Sequence, residues 1–565
     1  MILNEYKNIV NPMPYIFGMF ILGTITYRSF YKYQWLAIII ASCFFTLIYF
    51  LKDFKITIIM ILFFSVSVIN NVYYYKFIPN DLNKITVVSV KTYESIGEIN
   101  GRKIYLEGDI KEIKMGERIL AKGEFIRNLE ITKGNIGTFN VDEYKKLKDS
   151  FVSKLYKTRE KIFFSIKEKL GFRRASLVSS IAFGYTEFLD LEDKENMKLL
   201  GLLHAVSVSG LHMALVYGFL RKIFGEKYTP FIAFLYVLFT GAAISTIRSY
   251  IMLLCISLAS PLRRTYNPLA GLSLAGVIIL IMKPYGVFDV GFTLSFLATI
   301  GIIIFNKSLN KKLYKLPKFF REGLSLTLSA QILSFPALIL IFKEFSFNFI
   351  IGNIFLAPII TAIVFVGNLL VLSWRVTFIF NYLCFIAHYV TVAMDKIIYL
   401  IGKFTIPIFY FNENTSFMYV IILISYYFYK KGYKKFVYMP AMAIIYIFIL
   451  IYSPIPKIKY YREGAYLLSY KGDRALILLK KEIDLKRLER ITAANKVYKI
   501  PENIRIGEDI ILRKSGKDFI LKSSDNEYLL QLWKEKKKSE YDIIDFSEGD
   551  FNEIIIFGNK VLPLD

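Results

Sequence analysis

Two histidines lie in the segment HAVSVSGLH, which interrupts an otherwise apolar stretch of the chain. They are His204 and His212, with Ser209 and Gly210 between them. Ionisable groups are costly in a membrane, so they usually face the interior of a helix bundle or a water-filled path. At helical spacing the two imidazoles would lie roughly 80° apart on one face, close enough to share a cavity. The segment therefore predicts a polar lining. Ser209 as a nucleophile beside a histidine base and simple helix packing through Ser and Gly are the alternatives.

Arg248 is a second polar residue in apolar surroundings, in the segment TGAAISTIRSYIM. An arginine at the centre of a bilayer costs about 2.5 to 3.5 kcal/mol on insertion scales, so something must compensate its charge. A phosphate on a passing strand would do so. A carboxylate such as Asp289, in FDVGFTLSF, would also do so as a static ion pair.

Two amide side chains lie in later apolar stretches, Gln331 ahead of Pro336 and Asn353 ahead of Pro358. Proline within a span frees a backbone carbonyl and marks kinks that transport proteins use. A hydrogen bond between helices is the simpler role for a single Gln or Asn.

The chain that positions these residues is 55% hydrophobic and only 21% charged over 565 residues, which indicates a polytopic membrane protein. The apolar segments predicted to be membrane spans are Pro14 to Tyr27, Trp35 to Leu51, Ile56 to Tyr73, Leu202 to Leu220, Leu269 to Met282, Phe288 to Phe305, Leu324 to Ile341, Phe349 to Leu372, Phe378 to Ile401, Phe417 to Tyr429 and Phe436 to Tyr452. The stretch from Pro230 to Pro261 is different, because a continuous helix there would measure about 45 Å. Its centre, TGAAISTIRS, is small and polar, which predicts a broken or re-entrant element.

The predicted fold is a polytopic α-helical membrane protein with a small all-β extracytoplasmic domain and a short α/β or β-rich soluble region at the C-terminus. Alternating apolar and polar residues predict a small antiparallel barrel or sheet from Lys76 to Asp149. A mixed-charge helix from Phe151 to about Leu170 either lies on the membrane surface or packs on the small domain. The predicted divisions are three helices in residues 1–75, the all-β domain in 76–149, linker helices in 150–198, a multi-span domain in 199–455 and the soluble region in 456–565.

The formal net charge of +26 is compatible with phosphate binding. Basic cytoplasmic loops and an AT-rich genome would also produce it. The basic loop Asn306 to Arg321 and the cluster from Lys430 to Lys435 should face the cytoplasm, which puts residues 76–149 and the C-terminal region outside. The three cysteines are far apart and indicate neither a disulfide framework nor a zinc site. The N-terminal residues predict a retained first span instead of a cleaved signal.

These segments resemble the ComEC family, the inner-membrane channels through which transforming DNA enters bacteria as a single strand. The family signature has the form H-x-x-x-[VI]-S-G-L-H, which HAVSVSGLH matches. Further family-like positions follow in order, and they are Thr240, Gly241, Ser245, Arg248, Met252, Gly291, Leu294, Ser295, Phe296, Gln331, Pro336, Asn353 and Pro358. The segment NIGTFNVDEY, from Asn135 to Tyr144, resembles the part of the family that closes its external OB-like domain.

The resemblance implies a channel for single-stranded DNA in the bacterial cytoplasmic membrane, with an OB-like fold in residues 76–149. The residues expected along the DNA path are His204, Ser209, Gly210, His212, Ser245, Arg248, Asp289, Ser295, Gln331 and Asn353. The expected partners are single-stranded DNA, membrane lipid, a DNA receptor outside and a helicase inside, and the chain could also form a homo-oligomer. No cofactor is expected.

Many members of this family carry a metallo-β-lactamase-like domain whose metal cluster has the form H-x-H-x-D-H. The present chain has three histidines, all in apolar segments, so we expect no such metal site and no nuclease activity. It has no G-x-x-x-x-G-K-[ST] motif, so we do not expect it to power transport itself. The alternatives to a channel are an intramembrane hydrolase that uses Ser209 with His204 or His212, and a transporter of another polyanion or of lipid.

Overall fold

The computed structural model describes residues 11–51, 54–90, 95–108, 110, 113–206, 208–461, 463–479, 484–499, 503–506, 510–516, 518–523, 526–531, 541–546, 552–557 and 560–564. The contacts between residues divide the chain into two compact units. The first consists of Met1–Ser334 and Ser346–Pro407, and the second of Phe335–Phe345 and Ile408–Asp565.

Most of the first unit is helical. Its helices, of which α11 ends within the second unit, are α1 (Met13–Lys32), α2 (Gln34–Leu51), α3 (Phe54–Tyr75), α4 (Phe151–Leu170), α5 (Phe172–Phe183), α6 (Leu191–Leu199), α7 (Gly210–Phe239), α8 (Ile244–Ala259), α9 (Pro268–Met282), α10 (Val290–Lys312), α11 (Lys318–Phe342), α12 (Phe349–Phe355), α13 (Ala357–Ser373) and α14 (Thr377–Gly402). Short 3₁₀ turns occupy Leu203–Ala205 and Pro284–Phe288. A helix therefore forms in each apolar segment of this unit that the sequence marks as a span, although in Leu202 to Leu220 the α-helix begins only at Gly210.

Several helices of the two units are long and apolar enough to cross a membrane. Within the described residues there are six by length and composition, and they are Phe54–Tyr75, Leu203–Phe239, Val290–Lys312, Lys318–Phe342, Thr377–Gly402 and Lys434–Ile451. Helices α12 and α13 would make a seventh, although they are bent by 50° where they meet. A bend is expected there because Pro358 cannot continue the hydrogen-bond ladder of the preceding helix. The helices support a multi-pass membrane protein.

The stretch from Pro230 to Pro261 is broken, as predicted. Helix α7 ends at Phe239 and α8 begins at Ile244, with a tight turn between them. In this turn Gly241 has φ +90° and Ala242 has φ +49°, values in the left-handed region that end a helix. A second break lies within α7 at Gly225, whose φ is 72° and ψ is 175°. Entry and exit of this element at one face of a membrane stays a prediction.

The predicted all-β domain is a closed barrel. Its strands are β1 (Leu82–Val90), β2 (Ser95–Ile99), β3 (Arg102–Gly108), β4 (Arg118–Ile126) and β5 (Asn135–Lys146). They close in the order β1-β2-β3-β5-β4, and alternate residues such as Ile104, Ile119 and Phe139 fill the interior. The pairing is antiparallel except between β3 and β5, which run parallel. The expectation of a purely antiparallel barrel is therefore wrong at this one pair, because β5 returns from β4 and inserts beside β3.

The helix predicted from Phe151 to Leu170 is α4, and it packs on other helices. Ser150 caps its first turn, accepting from the amide of Ser153. Its buried residues, including Phe163 and Ile166, join a core with residues of α5, α13 and α14. The alternative of a helix that packs mainly on the small domain is wrong, although Lys114 of the barrel segment forms a 3.1 Å ion pair with Glu160.

The second unit is rich in β-strands, as the fold prediction expects for the C-terminal region. Its helices are α15 (Glu413–Lys430), α16 (Met439–Ile451) and α17 (Leu485–Thr492), and a 3₁₀ turn occupies Lys434–Tyr438. Its strands are β6 (Glu344–Phe345), β7 (Phe409–Tyr410), β8 (Lys457–Tyr461), β9 (Ala465–Tyr470), β10 (Asp473–Leu478), β11 (Lys496–Lys499), β12 (Asn503–Ile506), β13 (Ile510–Ser515), β14 (Asp518–Ser523), β15 (Asn526–Gln531), β16 (Asp542–Asp545), β17 (Glu553–Phe557) and β18 (Lys560–Leu564). A six-stranded and a five-stranded sheet share an apolar core that includes Tyr466 and Leu521.

Candidate polar site at the start of α7 and α8

The HAVSVSGLH segment is not a continuous helix. His204 lies in the 3₁₀ turn, Ser209 is extended with φ −107° and ψ 177°, and α7 begins only at Gly210. The prediction that His204 and His212 share one helical face is therefore wrong. Serine is favoured as the residue before a helix, and the two valines of the segment are poor helix formers. Ser207 lies outside the described residues.

His212 stabilises the start of α7 through its ring. The amide of Ser209 donates to Nδ1 of His212 at 2.7 Å, so that nitrogen carries a lone pair and not a proton. The ring is almost fully buried, and its Nε2 has no hydrogen-bond partner among the described residues. The ring of His212 thus contacts the amide of Ser209 and not its hydroxyl. A nucleophilic serine would need a histidine bonded to that hydroxyl.

Helix α8 holds the segment before α7 by two hydroxyls. Ser245 and Thr246 both donate to the carbonyl oxygen of Val208, at 3.0 and 3.2 Å. The start of α7 also lies very close to α8. A Cβ placed on Gly210 would lie 2.9 Å from Oγ of Ser249, so only glycine fits there without a shift. Ser245 and Gly210, both predicted from the sequence, thus fasten the two helix starts together.

Arg248 is bound by hydroxyls of α10. Its Nε donates to Oγ of Ser295 at 2.8 Å and its Nη1 to Oγ1 of Thr299 at 2.6 Å, while Nη1 also lies 3.7 Å from the sulfur of Met252. The side chain is 9% exposed, and it forms no ion pair within the described part of the chain. Sequence reasoning named Ser295 but missed Thr299, whose spacing of four residues on one helix face was the available signal.

The alternative of an ion pair between Arg248 and Asp289 is wrong. Asp289 precedes α10, and its Oδ1 accepts from the amide of Phe292 at 2.9 Å. Aspartate is among the preferred residues at this position because its oxygen satisfies an amide that the helix leaves open. The carboxylate of Asp289 therefore caps α10, the helix that carries Ser295, and does not neutralise Arg248.

The chain is similar to a known protein family in a region that includes this site. The sequence model of a family described as "Competence protein" matches residues 181–432, which include the α7 and α8 starts and α10. The chain is also 26% identical over 243 residues to "ComE operon protein 3" of Bacillus subtilis (strain 168), a match that covers 41% of this chain and 31% of that protein. These matches support a competence protein that is similar to the ComEC family. The chain thus spans only about a third of the length of the curated relative. No solved structure matches it.

Two other predicted positions make hydrogen bonds within their own helices. Nδ2 of Asn353 donates to the carbonyl of Phe349 at 2.9 Å, and Oε1 of Gln331 accepts from the hydroxyl of Ser334 at 3.1 Å. The alternative of a hydrogen bond between helices is therefore wrong for both within the described residues, and a place along the DNA path stays a prediction. Among the described residues, neither side chain hydrogen-bonds a residue that surrounds Arg248.

The third histidine, His388 of α14, contacts a different arginine. Its Nδ1 lies 2.7 Å from Nη1 of Arg174 in α5. Next to it Arg173 binds Asp193 at 2.6 Å and Asp395 at 3.1 Å. This cluster ties three helices together. Among the described residues, no group of three His, Cys, Asp or Glu side chains could hold a metal ion.

A cavity of about 340 Å³ lies where the barrel meets the start of α10. Its lining residues are Ile96, Lys103, Tyr105, Thr132, Lys133, Asn135, Tyr285, Phe288, Asp289 and Val290. Nζ of Lys103 lies 4.3 Å from the centre of the Tyr285 ring. Burial lowers the pKa of Lys103, the nearby charge of Lys283 lowers it further, and Asp289 opposes both effects. Asp289 is thus a member of this cavity and not of the arginine site.

Proposed function

We propose that this ComEC-family protein is a conduit for single-stranded DNA in the bacterial cytoplasmic membrane, and that Arg248 contacts the phosphates of the passing strand. The observation that carries the proposal is the buried guanidinium of Arg248, which has hydroxyl partners and no ion pair among the described residues. The matches to competence proteins support a role in the uptake of DNA.

The chemistry of Arg248 favours an anion that comes and goes. Removing a cation from water costs several kcal/mol, and the hydroxyls of Ser295 and Thr299 supply dipoles but no negative charge. A phosphate supplies both the charge and oxygen acceptors that match the planar guanidinium. Nη2 of Arg248 lies 3.2 Å from the point that a Cβ on Gly210 would occupy, so no side chain of that residue covers this edge.

In this proposal the barrel makes the first contact with DNA, outside the membrane. Its strand order, with β3 parallel to β5, fits the five-stranded Greek-key barrel of the OB-fold. Such barrels bind single strands without sequence preference by combining basic grooves with stacking aromatic rings. In this proposal a receptor outside delivers the DNA, a helicase inside pulls it, and the protein performs no chemistry on it.

The test uses a transformable host in which the gene is deleted and then restored as variants. Arg248→Gln should abolish the uptake of labelled DNA into a nuclease-resistant form and leave DNA binding at the cell surface intact. Arg248→Lys should retain part of the uptake, because it keeps the charge without the planar fork. Arg375→Gln removes one positive charge at an exposed arginine and should behave as the wild type.

Normal uptake in the deletion strain would contradict the conduit. Normal uptake with Arg248→Gln, at an unchanged level of protein in the membrane, would contradict the role of Arg248. A transporter of another polyanion or of lipid would use the same cation. That alternative gains support if polyphosphate or anionic lipid displaces an oligonucleotide from the purified chain while uptake of DNA is normal in the deletion strain.

The hydrolase alternative has less support, because the ring of His212 accepts from the amide of Ser209. Ser209→Asn keeps a residue that is favoured at this position of a helix but removes the hydroxyl. We expect this variant to take up DNA normally. Complete loss of uptake in a folded Ser209→Asn protein would favour the hydrolase.

A further inference from the structure

Arg159 is a second buried arginine with an incomplete set of partners. It lies in α4, and its side chain is 4% exposed. Its guanidinium carbon lies 4.7 Å from the centre of the Tyr156 ring and 5.2 Å from that of Tyr185. Its Nε has no hydrogen-bond partner, and it forms no ion pair, within the described part of the chain. Burial lowers the pKa of Arg159 against the weaker opposing influences of Tyr156, of the carboxylate of Glu187 and of Tyr185, so its surroundings do not fully compensate the charge.

The guanidinium lies beside the turn that leads into α8. Nη1 of Arg159 is 3.5 Å from the point that a Cβ on Gly241 would occupy, and the hydroxyl of Tyr156 is at the same distance. Gly241 and Ala243 are exposed, so a ligand can reach this place. Ala243 precedes α8, and no side chain caps the helix there. The first amides of a helix attract anions, and α8 is 16 residues long.

The turn and Arg248 lie at two heights of the same helix. Arg248 follows Ala243 by five positions, which corresponds to about 7.5 Å along the axis at 1.5 Å per residue. That is about two nucleotide steps of a stacked strand at 3.4 Å per step. The turn beside Arg159 and the backbone of Arg248 are therefore close enough along α8 for one strand to span them.

We propose that Arg159, the Gly241 turn and the first amides of α8 form a second phosphate-binding position on the same strand that contacts Arg248. This inference rests on the proposed function. The tyrosine rings attract the cation and hold it in place. The rings supply no negative charge, and the exposed carboxylate of Glu187 influences Arg159 without forming an ion pair with it among the described residues. A phosphate beside Nη1 would supply that charge.

The decisive variants are Ala243→Asp and Ala243→Asn. Both residues are equally favoured before a helix, so both should preserve or improve the start of α8. Only aspartate adds a negative charge beside Arg159, where it would replace a phosphate. The two Ala243 variants therefore separate an effect of charge from an effect of folding. Arg159→Gln, which removes the positive charge, and Arg159→Lys, which keeps it, make the same comparison at the arginine.

The measurement is the binding of a fluorescent oligo(dT) to the purified full chain in nanodiscs at several salt concentrations. Each phosphate contact with a single strand contributes about 0.7 to the slope of log K against log salt. We expect Ala243→Asp and Arg159→Gln to make this negative slope shallower by about 0.7. The loss of affinity from 50 to 200 mM salt would then be about 2.6-fold smaller than in the wild type. Ala243→Asn and Arg159→Lys should keep the slope of the wild type.

An unchanged slope in Ala243→Asp, with binding and slope intact in the wild type, would overturn the second position and leave the proposed function untouched. Equal loss of slope in Ala243→Asp and Ala243→Asn would also overturn it, because the effect would not depend on charge. Absence of oligonucleotide binding by the wild type would instead contradict the proposed function, and the second position would fall with it.

Discussion

Replacing Gly210 with alanine should disturb the polar site, because the new methyl group has no room between α7 and α8. The new methyl group would lie 2.9 Å from Oγ of Ser249 and 3.2 Å from Nη2 of Arg248. Ser249 would have to turn away and give up the bond that it donates to the carbonyl of Ser245 at 2.9 Å. That bond is worth about 0.5 to 1.5 kcal/mol. Overpacking costs about 1 to 3 kcal/mol.

The helix preference for alanine offsets part of this cost, by less than about 1 kcal/mol at the first helical position. We therefore expect Gly210→Ala to lower the free energy of unfolding by about 1 to 3 kcal/mol and to reduce DNA uptake, because Arg248 is displaced. The assays are thermal unfolding of the purified chain and uptake of labelled DNA. Gly218→Ala is the matched control, since Gly218 lies in the same helix with no atom within 4 Å of its added methyl group. It should stabilise the chain by about 0.5 to 1 kcal/mol.

A second substitution makes the reasoning refutable. Ser249→Ala removes the oxygen that Gly210→Ala would strike and leaves Cβ of residue 249 at 3.9 Å. The double variant should therefore be more stable than the sum of the single effects predicts, by about 1 kcal/mol or more. If Gly210→Ala proves as stable as Gly218→Ala, or if the two single effects simply add, the close contact between α7 and α8 is not as described.

Three further outcomes are expected. His212→Phe should destabilise the chain by about 1 kcal/mol in chemical unfolding, because the amide of Ser209 loses its acceptor; a neutral result would show that the capping contact is dispensable. Asp289→Ala should cost about 1 kcal/mol but leave the salt dependence of oligonucleotide binding unchanged, whereas a change would bring Asp289 back to the arginine site. Lys103 should react with an amine-directed reagent at a lower pH in the folded chain than in the denatured chain, because its lowered pKa leaves more of the amine neutral. Asp289→Ala should lower that pH further, because Asp289 raises the pKa of Lys103. Equal reactivity in the folded and denatured chains would contradict the buried position of Lys103.

The helices were predictable because the physical requirement is simple. A bilayer asks for long apolar segments, and the segment from Phe378 to Ile401 indeed lies within α14. The break before α8 was equally visible, since a small, glycine-containing centre between two prolines cannot sustain one long helix. Alternation predicts an all-β domain from Lys76 to Asp149 but not whether it closes into a barrel. Closure and the parallel pairing of β3 and β5 depend on contacts between distant strands, which local sequence does not encode.

The polar site was predictable in its residues but only partly in its contacts. Arg248 and Ser295 were found because charged and hydroxyl groups are conspicuous in apolar segments. The spacing of His204 and His212 in an apolar run predicts a shared helix face, but Ser209 favours the position before a helix, so α7 begins only after it. Arg159 escaped notice because it lies among many charged residues of an amphipathic helix, and its burial follows only from the packing of α4.

The way in which α10 holds Arg248 bears on how fast an anion could leave it. Thr299 accepts from the guanidinium and donates the same hydroxyl to the carbonyl of Ser295 at 2.8 Å, so the two acceptors lie one turn apart and are fixed by the helix itself. The arginine thus keeps its orientation with or without an anion, and no carboxylate has to be displaced when one arrives. Permeation requires sites that bind strongly enough to admit a charge and weakly enough to release it. A cation held by neutral groups meets both demands and, because phosphates are the same at every nucleotide, would treat all sequences alike.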